Sequence, residues 1–158
     1  MSGPIRIANC SGFYGDRLSA ASEMVTDGPI DVLTGDWLAE LTMLILARSQ
    51  ARPTGKGYAR SFVKQMEQVM GTCLDQKIKV VSNAGGLNPE NCADAVNELA
   101  ETLGLSPTIA YVDGDNLLGR LDDLVAAGAD FSHMDTGESP PILNEFISAN
   151  AYFGCWGI

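Results

Sequence analysis

The sequence predicts an α/β fold: a predominantly parallel β-sheet flanked by helices, Rossmann-like and doubly wound, incomplete at the C-terminus. Three observations carry this. Short apolar runs alternate with stretches of helical period, which is the pattern of βαβ units. Each run ends in a turn rich in Gly, Asn or Asp. The chain then stops on an apolar stretch, Tyr152-Phe153-Gly154-Cys155-Trp156-Gly157-Ile158, where termini are usually polar and loose. Right-handed crossovers are expected to put helices on both faces of the sheet.

Ile5 to Asn9 reads as the first strand and leads into the turn Cys10-Ser11-Gly12-Phe13-Tyr14-Gly15-Asp16. A helix follows to Thr26, with Leu18, Ala21, Ser22 and Val25 on one face, and Asp27-Gly28-Pro29 stops it. Asp31 to Thr34 is a second, very short strand ending at Gly35-Asp36. Trp37 to Ala51 reads as a helix with almost no polar face, the kind normally buried on several sides. Arg52-Pro53-Thr54-Gly55-Lys56-Gly57 is a loop that only faintly resembles a phosphate loop, because its spacing is wrong and no strand precedes it. Tyr58 to Asp75 is amphipathic, with Tyr58, Phe62, Met66, Val69, Met70 and Cys73 at helical spacing. Ile78, Val80 and Val81 mark a third strand, closed by Ser82-Asn83-Ala84-Gly85-Gly86. Asn88 and Pro89 then begin a helix, one as cap and the other at the first helical position, and Gly104 ends it. A fourth strand is expected over Thr108 to Val112, a helix from Leu117 to Ala127, a loop from Gly128 to Pro141, and a fifth strand over Phe146 to Ala151.

The chain has 158 residues, an apolar fraction of 46% and a net charge of −10. This is a folded, single-domain composition. The acidity disfavours nucleic acid and anionic membrane surfaces as partners. No apolar run is long enough to span a bilayer. Met1-Ser2-Gly3-Pro4 carries no signal-peptide pattern. Cys10, Cys73, Cys92 and Cys155 are scattered, so they are expected to be reduced thiols of a cytoplasmic protein. One His and dispersed Cys argue against zinc.

In open parallel sheets, ligands bind beyond the carboxyl ends of the strands. That makes the post-strand turns the candidate site. Ser11, Gly12, Asp16, Asn83, Gly85, Gly86, Asp113 and Asp115 are the ligand-binding candidates, with the glycine turn offering amides to a carboxylate or phosphate. Asp36 and Glu40 are the acid–base candidates, four apart and so expected on one helix face. Capping alone would account for Asp16, Asp36 and Asn88, and Glu40 would suit the helix dipole. A hard cation on Asp16, Asp36, Asp113 and Asp115 is a weaker reading, since these come from separate turns. A nucleophile at Cys10 or Ser11 lacks a placed base, as His133 is the only histidine. The dinucleotide fingerprint G-x-G-x-x-G is absent, and no cofactor is identified.

Three strings are specific: Ile7-Ala8-Asn9-Cys10-Ser11-Gly12-Phe13-Tyr14-Gly15-Asp16, Gly35-Asp36-Trp37-Leu38-Ala39-Glu40-Leu41-Thr42-Met43, and Val80-Val81-Ser82-Asn83-Ala84-Gly85-Gly86-Leu87-Asn88-Pro89. With Ser148-Ala149-Asn150-Ala151-Tyr152-Phe153-Gly154, they make nearly the whole chain resemble the N-terminal domain of the acyclic terpene utilisation family. The resemblance implies a part in the breakdown of acyclic terpenes through acyl-CoA thioesters, with no assigned step and no established catalytic residues. It also implies that full-length members continue beyond this point, and that the apolar tail is the start of a further helix. Two functions follow as expectations. One is an enzyme-derived domain binding a small organic acid or acyl thioester at the strand ends. The other is a non-catalytic assembly module, or an inactive truncated form, that pairs with a second copy or another subunit through its C-terminal tail.

Overall fold

A computed structural model describes residues 3–140 and 145–158. The Met1-Ser2 start and Pro141, the last residue of the expected loop, lie outside the described residues. The chain divides into two compact units, Met1–Tyr111 and Val112–Ile158.

The first unit is an open sheet of three parallel strands, β1 (Ile7–Asn9), β2 (Val32–Gly35) and β3 (Lys79–Ser82), in the order β1-β2-β3. Its helices are α1 (Ala20–Thr26), α2 (Glu40–Gln50), α3 (Arg60–Asp75) and α4 (Pro89–Leu103). The register aligns Ala8, Leu33 and Val80 across the three strands. Side chains alternate between faces, so this row points to one side. Leu33 is fully buried, and Ala8 and Val80 pack with it against Ala21 and Val25 of α1, Met66 and Val69 of α3, and Val96 and Ala100 of α4. One face of the sheet therefore carries the core. On the other face Ile7, aligned with Val32 and Lys79, is 66% exposed. The expectation of helices on both faces is not met by α1, α3 and α4. The strands add in the order β1-β2-β3 with no reversal, and crossovers of one common hand then keep their helices in one layer.

Arg6 closes the opposite end of the sheet. Its guanidinium and its backbone N–H all donate to the Asp31 carboxylate. That hydrogen bonding holds the Asp31 carboxyl down at about 2. At α4 the sequence reading holds in detail. The Asn88 side chain accepts from the Asn91 N–H at 3.1 Å, Pro89 occupies the first position, and Gly104 ends the helix in the left-handed conformation.

Helix α2 departs from expectation twice. It begins at Glu40, not Trp37, because Trp37 to Ala39 are not helical and Ala39 is extended. It is also not buried on several sides: Leu41 is 67% exposed and Ile45 is exposed beside it. Its buried residues Leu46 and Ala47 pack on Leu87, with Tyr14, Leu38 and Met43 around them. So α2 lies against the carboxyl-end turns and not on the main core.

The second unit holds a 3-10 turn, η1 (Leu118–Arg120), running into α5 (Leu121–Ala126), which matches the expected helix. The two expected strands do not form. Thr108 to Val112 is not a strand: Ile109 packs on the first unit's core, while Tyr111 and Val112 are exposed. Phe146 to Ala151 contributes one isolated antiparallel bridge, Asn116 to Asn150. Two backbone bonds flank it, Leu117 N to Ala149 O and Ala151 N to Asp115 O. The tail is not helical, with Tyr152 and Trp156 both exposed.

Candidate functional site

Three of the four expected turns are tied together at the carboxyl ends of β1, β2 and β3. The tie runs through Asp36 and Asn83. The Asp36 N–H donates to Ser11 O at 2.9 Å, joining the β2 turn to the β1 turn. Asn83 sits one residue beyond β3, and its side chain reaches across to β2. Its Nδ2 donates to Asp36 Oδ1 at 2.6 Å and its Oδ1 accepts from the Trp37 N–H at 2.9 Å. Asp36 Oδ1 also accepts from the Leu38 N–H at 3.0 Å. One amide thus fixes a carboxylate and straightens the chain entering α2. Asp36 turns its own backbone rather than capping a helix.

Trp37 explains the glycine before it. The indole is buried and stands edge-on to Phe62, with ring centroids 5.2 Å apart. A Cβ on Gly35 would lie 2.5 Å from the indole and 3.1 Å from Ser11 Cβ. No other residue fits where β2 passes between them.

The β1 turn is fixed by its own side chains. Ser11 is buried and its hydroxyl donates to Phe13 O at 3.0 Å. Asp16 accepts from the Gly12 N–H at 3.0 Å and the Arg17 N–H at 2.8 Å. These two backbone donors, Gly12 foremost, hold the Asp16 carboxyl below its ordinary range.

The glycine pair is packed from several sides. The Gly86 N–H donates to Asn83 O at 3.2 Å. Gly86 has φ 55°, and a Cβ there would run into Leu46 and lie 2.9 Å from Gly57 O. A Cβ on Gly85 would lie 2.8 Å from Pro89. Close packing under α2 therefore accounts for Gly86, and the close approach of Pro89 at the start of α4 accounts for Gly85.

Asp36 and Glu40 do not share a helix face, because α2 starts at Glu40 and Asp36 lies in the turn before it. Glu40 is exposed in the first turn of α2, where it favours the helix dipole. Asp113 and Asp115 belong to the second unit. There Asn150 Nδ2 donates to Asp115 Oδ2 at 3.2 Å, and Gly114 takes φ 101°. Cys10 is buried, and burial pushes its thiol up to about 11, which leaves it protonated and unreactive at neutral pH. His133 Nδ1 accepts from the Asp135 and Thr136 N–H groups at 3.2 and 3.3 Å, so it serves its own loop. Among the described residues no group of three or more His, Cys, Asp or Glu is arranged to hold a metal. No helix of the described residues is long and apolar enough to cross a membrane.

Sequence reasoning missed Gln65. It lies fully buried on α3, and its Nε2 donates to Cys10 O at 3.4 Å and to Arg17 O at 3.3 Å. It pins the β1 turn to the core. Its spacing was the available signal: Phe62, Gln65 and Val69 share the apolar face of α3. The sequence places Trp37 as the first residue of a helix, and no local signal marks it as the partner of Asn83.

No curated protein and no solved structure matches the chain. A family model described as acyclic terpene utilisation family protein AtuA matches residues 5–158. That span takes in the three tied turns with Ser11, Asp36 and Asn83, and the Asp115–Asn150 pair of the second unit. The chain belongs to the acyclic terpene utilisation family, AtuA.

Proposed function

We propose that this chain supplies the ligand-binding strand ends of a protein acting in the cytoplasmic catabolism of acyclic terpenes, with an organic acid or acyl-CoA thioester as ligand. The observation that carries the reading is the Asn83 bridge. A sheet whose three carboxyl ends are cross-linked by side chains and backbone, with the Asp36 carboxylate held at the junction, is a preorganised rim. The family description supports the terpene context. Asp36 and Glu40 are the acid–base candidates. Ser11, Gly12, Asp16 and Asn83 shape the rim, Gly85 and Gly86 form its close-packed floor, and Asp113 and Asp115 are second-unit candidates. The sheet is read as one half of a Rossmann-like, doubly wound fold. A further layer would then cover the face that bears Ile7 and Val32, and the exposure of Ile7 supports this.

The test is calorimetric titration of the folded chain with citronellyl-type and straight-chain acyl-CoA thioesters. Saturable binding that is lost in Asp36→Asn is the expected result. Absence of binding by the wild-type chain removes the ligand reading. A second reading, assembly through the tail, has its own observation: Tyr152 and Trp156 are each about 95% exposed. Sedimentation decides it, since an assembly module self-associates or captures a subunit and a Tyr152→Ser/Trp156→Ser variant does not.

A further inference from the structure

We infer that the segment from Arg48 to Lys64 is an anion site that receives the phosphate groups of a coenzyme A-class ligand beside the strand-end rim. Five of the ten basic residues, and none of the twenty acidic ones, lie between residues 41 and 66. The rest of the chain is left with five against twenty. The local excess is hidden by the net charge of −10, which is why total acidity gave no hint of it. Arg48, Arg52, Lys56, Arg60 and Lys64 follow one another at intervals of four, and all five are exposed. The ion pairs among the described residues are Arg6–Asp31 and Arg17–Glu23, and none involves these five. Like charges four apart on a helix, as Arg60 and Lys64 are on α3, repel and destabilise it. A bound polyanion reverses that cost. Guanidinium groups pair with phosphate in bidentate fashion and Lys adds a point charge.

The segment is also built, and built next to the rim. Gly55 passes against the Ser49 carbonyl with no room for a Cβ, and its N–H donates to Arg52 O at 2.9 Å. Gly57 takes φ 75° beneath the Gln50 side chain. Its carbonyl accepts from the Leu87 N–H at 2.9 Å, and the Ala59 N–H donates to Ala84 O at 2.8 Å. The basic loop is therefore bonded to the same turn that carries Asn83. No strand precedes it, so it is not a phosphate loop; it would act through side-chain charge. The ligand's identity rests on the thioester reading above, while the patch itself does not.

The test titrates the whole chain with octanoyl-CoA and with octanoyl-pantetheine, which lacks the phosphates. The triple variant Arg52→Gln/Lys56→Gln/Arg60→Gln is compared with a control, Lys77→Gln/Lys79→Gln. The triple variant is expected to lose roughly tenfold or more in affinity for octanoyl-CoA and nothing for octanoyl-pantetheine, with the control unchanged. Equal octanoyl-CoA affinity in wild type and triple variant overturns the inference, as does a change in self-association alone. If the triple variant does not fold, the wild type decides: added salt should weaken octanoyl-CoA and spare octanoyl-pantetheine, and equal salt response overturns the inference. If the wild type binds neither thioester, inorganic pyrophosphate separates the two ideas. Pyrophosphate bound by wild type and lost in the triple variant keeps the patch while the thioester reading falls. Pyrophosphate not bound removes both.

Discussion

Two stretches of this chain end an apolar run in a turn of Gly and Asp, and only one of them makes a strand. Val32–Gly35 leads into Asp36 and is the middle strand of the sheet, with β1 on one side and β3 on the other. Thr108 to Val112 leads into Asp113-Gly114-Asp115-Asn116, has the better strand composition, and forms no strand. Strand propensity is a statement about fit to a half-buried surface with neighbours. Leu33 has that surface on its core side, whereas Val112 is 51% exposed. The same contrast separates the two units. In the first, polar motif residues are cross-linked on a sheet with a core. In the second, the Asp115–Asn150 pair is held by a single bridge, and Leu121 is its one buried apolar residue among the described residues.

Thiol chemistry gives the largest expected contrast. Cys10, Cys73 and Cys92 are buried in the first unit and Cys155 is exposed in the second. Under native conditions a maleimide should label Cys155 faster than the other three by orders of magnitude. Cys155→Ser should then leave almost no native labelling, read by mass spectrometry. Rapid labelling of Cys10 would show that the first unit's core opens far more readily than its packing indicates. Burial pushes the Cys10 and Cys92 thiols up to about 11 from an ordinary 9.0. Their neutral forms favour the folded state, so this contribution is complete below about pH 9 and is lost as pH rises through 11. Urea midpoints measured across that window should fall more steeply for wild type than for Cys10→Ala/Cys92→Ala.

Backbone strain sharpens the contrast by position. Gly86 and Gly137 both have positive φ, 55° and 69°. At Gly86 a Cβ also meets Leu46 and Gly57 O, while at Gly137 nothing lies within 4 Å. Gly86→Ala should cost about 2–4 kcal/mol, and Gly137→Ala about 1 kcal/mol, the left-handed penalty alone. Denaturant unfolding of the two variants checks this. Equal costs would mean that α2 does not press on the glycine turn.

The β3–turn–α4 passage was legible because every signal in it is local. Asn88, Pro89 and Gly104 act within a few residues, and the structure uses each as capping chemistry dictates. The β1-β2-β3 sheet was legible from its apolar runs. Other features depend on contacts between residues far apart in sequence. Trp37 looks like a helix start until Asn83, 46 positions later, is seen to take its N–H. The exposure of Leu41 and Ile45 follows from where α2 docks, which its apolar pattern does not encode. The site candidates divide the same way. Asp36 and Asn83 both lie at strand ends in the sequence, and they meet. Helical spacing pairs Asp36 with Glu40, and that pairing fails because α2 begins only at Glu40.

A smaller effect than that of Gly86→Ala tests the bridge on which the rim depends. Asn83→Ala removes one acceptor for the Trp37 N–H and one donor to Asp36, at a rim where water replaces part of the loss. It should cost about 1–2 kcal/mol. Asn88→Ala, which removes only a cap, should cost about 1 kcal/mol. Asn83→Asp separates clamp from spacer. It keeps the acceptor for Trp37 but sets a second carboxylate against Asp36 Oδ1, where Asn83 Nδ2 now donates at 2.6 Å. If the amide is there to hold that carboxylate, Asn83→Asp should be less stable than Asn83→Ala at pH 7 and should recover as acid protonates one of the pair. If the two variants melt together across that range, Asn83 fills space between β2 and β3, and Asp36 has no special standing at the strand ends.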